Sequence, residues 1–156
     1  MPKFMISISI PVKKHVKKYL IKKYGVVHTV TKKTFLGLLL LELINDKVDA
    51  SDRQFVDLEK YELTIPEFYF NKKGFQIDKH KARFLGLCLE KLFFEDFYNF
   101  IDVELAKGKA NAFQSVKLFM AIHSISENDM KLESMYRNYQ RHCGEDIKSK
   151  KVVIIL

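Results

Sequence analysis

Two cysteines in 156 residues are too few for a disulfide framework, and their surroundings point the same way. Cys88 lies inside the apolar run Phe84 to Leu92 and Cys143 directly follows His142, so neither belongs to a close-spaced pair that would bind zinc or form a bridge. A reducing compartment is the expectation. The six glycines are scattered, and none falls in a GxxxxGK or GxGxxG arrangement able to cradle a phosphate. His15, His28, His80, His123 and His142 have no partner at metal-ligating spacing. The carboxylates Glu90, Glu95, Asp96, Asp102 and Glu104 are explained by a solvated helix face. No catalytic residue, cofactor or metal is expected, and no enzyme activity. The most membrane-like run, Leu36 to Leu41, is far shorter than the roughly 20 residues a spanning helix needs. No leader-length apolar segment follows Met1, so a cytoplasmic protein without a membrane partner is expected.

A last absence concerns charge. Residues 1–33 hold nine lysines and no acidic residue, although the whole chain carries a net charge of only +8. The next stretch, 34–70, has eight acids against three bases. Charge segregated in this way focuses a field on an anionic partner. Six of the thirteen residues from Lys13 to Gly25 are lysine.

What the chain has in plenty is apolar bulk. Hydrophobic residues make up 47% of it, with 13 phenylalanines, which excludes the disordered class despite 29% charged residues. At this length the expectation is one compact domain over residues 1–156, with sub-units at 1–45, 61–104 and 109–143. Ile6, Ile8 and Ile10 alternate with Ser7 and Ser9, which predicts a strand with one buried face. Pro11 is expected to stop that strand and open a helix. Val12, Val16, Tyr19, Leu20 and the stem of Lys23 would face inward, and Lys13, Lys14, Lys17, Lys18 and Lys22 outward, as far as a terminating Gly25. Val26 to Val30 reads as a short extended piece, and Thr31 as the N-cap of an apolar helix through Leu43.

The segment from Tyr61 repeats this grammar. Leu63-Thr64-Ile65-Pro66 corresponds to Ile8-Ser9-Ile10-Pro11, Asn71 to Gly74 breaks the chain as Tyr24-Gly25 does, and Phe84-Leu85-Gly86-Leu87 matches Phe35-Leu36-Gly37-Leu38. A duplicated strand–helix–helix unit would pair its two strands antiparallel. In element order alone, over residues 4–44 and 61–95, this resembles the ribbon-helix-helix class of DNA-binding dimers folded into one chain. The resemblance implies a ribbon that enters the major groove with its outward residues, here Ser7, Ser9, Glu62 and Thr64. Glu62 would repel phosphate there, so the lysine-rich helix is the better contact surface.

Residues 79–100 form an aromatic helix expected to be core, and a further helix covers Ala110 to His123. Ser126 and Asp129 read as a capping box for another helix. Joined by Ser124 and Ile125, these two have helix-turn-helix length, with Arg137 and Arg141 on the second. The run Val152, Val153, Ile154, Ile155 and Leu156 is expected to add a strand beside Ile6 to Ile10, or to pair with a protein partner or second copy.

The sequence therefore predicts a mainly α, α+β fold in which a small two- or three-stranded sheet packs on three to five helices. Its expected role is non-catalytic nucleic-acid binding, to duplex DNA before RNA. The residues expected to carry it are Lys13, Lys14, Lys17, Lys18, Lys22, Lys23, Lys32, Lys33, Arg137 and Arg141. The alternative is a structural component of a larger assembly, such as a mobile-element or virion complex.

Overall fold

A computed structural model describes residues 5–45, 58–66, 79–108 and 110–154. Its strands are β1 (Met5–Val12), β2 (Val27–Thr29) and β3 (Glu59–Pro66). Its helices are α1 (Lys14–Tyr24), α2 (Phe35–Asn45), α3 (Lys79–Ala106), α4 (Ala112–Ile122) and α5 (Leu132–Ile154). The fold is mixed α+β and mainly helical, with one small sheet. The chain divides into two units, Met1–Phe93 and Phe94–Leu156, with α3 contributing to both.

In the first unit the sheet order is β1-β3-β2. β1 runs antiparallel to β3, with Ile6 opposite Ile65, Ile8 opposite Leu63 and Ile10 opposite Tyr61. β2 joins the other side of β3 in parallel, placing His28 beside Leu63. Because side chains alternate along a strand, all these residues share one face, and Ser7, Ser9, Glu62, Thr64 and Thr29 share the other. The inner face is buried with Val16, Tyr19 and Leu20 of α1, Leu36 and Leu40 of α2, and Leu85, Leu89 and Phe93 of α3. At about 25 cal/mol per Å² removed from water, such side chains each contribute roughly 1.5–3 kcal/mol, which outweighs the weak intrinsic propensity of any one element.

Four local expectations are corrected. Pro11 does not end the strand: β1 continues through Val12, and α1 opens one residue later on Lys13. β1 is an edge strand, where a residue lacking N–H is tolerated. Thr34, not Thr31, caps α2, accepting a hydrogen bond from the Gly37 N–H at 3.1 Å, while Thr31 accepts from the Lys33 N–H. Ser126 and Asp129 close a turn between themselves, and α5 opens only at Leu132, so His123 to Lys131 separates the helices that Ser124 and Ile125 were expected to join. Finally, Val152 to Ile154 end α5 and add no strand; the third strand is β2. An established helix adds one hydrogen bond per residue, which carries β-branched residues along. Ile155 and Leu156 lie outside the described residues, as do the Asn71 to Gly74 break and any helix after Pro66.

The two Phe-Leu-Gly-Leu segments have a common purpose. A Cβ on Gly37 would stand 2.0 Å from the Thr31 carbonyl oxygen, and one on Gly86 2.2 Å from that of Pro11. Each glycine lets its helix lie directly against neighbouring backbone.

In the second unit Phe97 and Ile101 of α3 are buried with Val116 and Phe119 of α4 and Met135 of α5. The Phe97 and Phe119 rings meet edge to face at 5.1 Å. Tyr139 donates to Asp102 at 2.8 Å, and burial, followed by Cys143 and Asp102, pushes its phenol pKa up. The aromatic helix is core in both units, with Phe93 and Phe97 fully enclosed.

Candidate nucleic-acid interface

Helix α1 is held by packing, since it has little local support. Lys13 at its N-cap makes no side-chain cap, and the first turn has no acidic residue to complement the positive end of the helix dipole. Buried His15, Val16, Tyr19 and Leu20 anchor one side, with the His15 and Tyr19 rings both against Phe93. Sequence reasoning missed His15, because a histidine among lysines reads as part of the polar face. Gly25, at φ 96°, ends the helix and donates its N–H to Ile21. The Gly25 carbonyl accepts from the Tyr61 hydroxyl at 2.7 Å, and burial, with Tyr24 nearby, pushes that phenol pKa up to about 12.

The lysines sort into two sets. Lys13 and Lys17, one turn apart, pair with Glu90 of α3 at 2.7 Å and Glu59 of β3 at 3.3 Å. Both pairs are partly exposed and each is worth no more than about 1 kcal/mol. Lys14, Lys18 and Lys22, again at four-residue spacing, follow a separate line along the helix. Lys23 lies 5.7 Å from the Tyr19 ring centre and 5.9 Å from that of Tyr24. Lys32 and Lys33 are exposed in the connection from β2 to α2. All eight lysines therefore belong to the first unit. Arg137 and Arg141 belong to the second, exposed on α5 beside Gln140, and Arg137 approaches Glu133 at 3.9 Å.

The outer sheet face has hydroxyls and one acid. Ser9 donates to the Glu62 carboxylate, and the Thr29 and Thr64 hydroxyls bond at 3.2 Å. These groups satisfy one another. On the inner face His28 contacts the Thr34 hydroxyl at 3.0 Å, and burial lowers its pKa, which favours the neutral ring.

A second basic cluster was missed. Lys60 of β3 and Lys79 and Arg83 of α3 line one groove in the first unit. No spacing could reveal it, because Lys60 and Lys79 are nineteen positions apart and only the fold brings β3 beside α3.

Among the described residues no three His, Cys, Asp or Glu side chains gather as a metal site, and no helix is long and apolar enough to cross a membrane. Comparison with protein-family models, curated proteins and solved structures finds no match.

Proposed function

We propose that the protein is a non-catalytic nucleic-acid-binding protein that contacts phosphates through the lysines of α1. The observation that carries this reading is a conflict between charge and helix stability. Lys14/Lys18 and Lys18/Lys22 are like-charged neighbours at four-residue spacing, a pattern that costs an isolated helix about 0.2–0.5 kcal/mol per pair. Lys13 and Lys14 also sit at the helix end where positive charge is disfavoured by about 0.3–1 kcal/mol. Helix stability alone would select acids there. A duplex presents about one phosphate per 1.7 Å of axis, and such a surface repays the repulsion on binding.

The test is the triple variant K14Q/K18Q/K22Q, titrated with duplex DNA at increasing salt. Wild type should bind at low salt with a log-log slope of about −0.9 per phosphate contacted. The variant should lose at least tenfold in affinity and shed about 2–3 from that slope. Its unfolding free energy should stay within about 0.5 kcal/mol, since relieved repulsion offsets the loss of Lys22 from the favourable C-terminal turn. Unchanged affinity in the variant refutes the assignment.

A second reading, a component of a larger assembly, is favoured by exposed apolar side chains in the same unit. Val26 is 70% exposed, Phe35 55% and Leu38 47%. A native mass measurement separates the two: assembly without nucleic-acid affinity supports the second reading, and a nucleic-acid-binding monomer supports the first.

A further inference from the structure

The groove that brings Lys60, Lys79 and Arg83 together has a volume of about 390 Å³. That lies within the roughly 300–1,000 Å³ of small-ligand sites and suits a single nucleotide unit, not a duplex. Ile8, Pro11, Leu58 and Ala82 supply its apolar wall, and among the described residues no carboxylate lines it. Three described acids of β3 and α3 are engaged elsewhere: Glu59 with Lys17, Glu62 with Ser9 and Glu90 with Lys13. Among the described residues Lys60, Lys79 and Arg83 have no ion-pair partner. Three cations around one concavity that no described carboxylate pairs with repel one another until an anion enters. A guanidinium sharing a groove with two ammonium groups matches a phosphate, because its planar fork can bond two oxygens together. Among the described residues the lining has no aromatic ring, so they offer bases no stacking platform and contact the backbone without regard to sequence. A smaller cleft shares Pro11, Leu58 and Arg83 with the groove and reaches the Lys13–Glu90 ion pair at the start of α1.

We infer that this groove holds a backbone phosphate of a single nucleic-acid strand, gripped by Arg83 and flanked by Lys60 and Lys79. The inference rests on the nucleic-acid reading of α1 and adds a second contact, of different shape, to it. The experiment is fluorescence anisotropy of a short labelled single strand with the full chain across a salt series. K60Q/K79Q/R83Q should lose at least tenfold in affinity, and its log-log salt slope should shrink by about 0.7, the share of one phosphate contact on a single strand. R83K should weaken binding severalfold with the slope unchanged, because it keeps the charge and loses the fork. K60Q/K79Q changes only exposed positions and should give an intermediate loss with wild-type circular dichroism. Groove variants that bind like wild type overturn the inference while the α1 reading stands. A wild-type chain that binds no nucleic acid overturns both. Adenosine monophosphate that displaces the strand from wild type at lower concentration than the strand itself requires would reassign the groove to a free nucleotide and overturn the strand assignment.

Discussion

Replacing Gly86 by alanine sets two effects of opposite sign against each other. Alanine is the better helix former, by about 1 kcal/mol in a helix interior. The new Cβ, however, would lie 2.2 Å from the Pro11 carbonyl oxygen, against an ordinary contact of 3.4–4 Å. An overlap of more than 1 Å with backbone cannot be relieved by a side-chain rotation. Neither partner moves freely, since Pro11 sits in a strand paired with β3 and α3 is fixed by buried Leu85, Leu89 and Phe93. Forced overpacking costs about 1–3 kcal/mol, occasionally more. A backbone clash this close belongs in the upper half of that range, so it should win and leave G86A less stable by about 1–2 kcal/mol. Gly144 is the control, because it is exposed in α5 and a Cβ there meets nothing within 4 Å. G144A should therefore gain about 0.5–1 kcal/mol. Urea unfolding followed by circular dichroism reads both. With a slope of about 1–3 kcal/mol per molar, the G86A midpoint should fall by several tenths of a molar or more, and the G144A midpoint should rise. A G86A chain as stable as wild type would refute the close approach of α3 to β1.

Ser124 ends α4 at φ 55°, with Ile125 N–H bonded to the Met120 carbonyl and Ser124 N–H to that of Ala121. That left-handed position costs a residue with a Cβ about 1–2 kcal/mol, so S124G should raise the melting temperature by a few degrees in calorimetry. Y61F removes the hydrogen bond to Gly25 and should destabilise by about 1 kcal/mol in urea titration. In wild type the raised Tyr61 pKa means that the folded state holds its proton more tightly than the unfolded state, whose value is near 10. Its contribution is complete below pH 10 and declines as pH rises towards 12. Alkaline unfolding curves should show that decline in wild type and less of it in Y61F.

The sheet was legible where side-chain alternation met turn chemistry. Ile6, Ile8 and Ile10 fixed the face of β1, and the Ile-Pro match at Ile65-Pro66 pointed to its antiparallel partner. The parallel strand β2 was visible only as a short extended piece, because three residues cannot display a period. Boundaries decided by competition between neighbours were less legible. Thr31 and Thr34 are equally good caps by type, and contact between Gly37 and the Thr31 backbone selects Thr34. The C-terminal run was misread because Val and Ile favour strands locally, whereas the helix begun at Leu132 continues through them. Of the basic residues, composition picked out the α1 lysines readily. It gave no sign that Lys13 and Lys17 would turn to Glu90 and Glu59, or that Lys60 and Arg83 would share a groove.

The strand order also dictates when this sheet can form during synthesis. β1 and β2 each have β3 as their sheet neighbour and do not pair with each other. Until Glu59 to Pro66 has left the ribosome, the emerged chain holds two unpaired strand segments, a run of lysines that has not met Glu59 or Glu90, and a leucine-rich helix with no sheet to cover it. Contacts between residues some fifty positions apart must then close over α1, β2 and α2, which slows folding relative to the local pairing of α4 with α5. The nascent first unit is therefore the stage of greatest exposure to aggregation and to polyanions such as the ribosomal RNA around it.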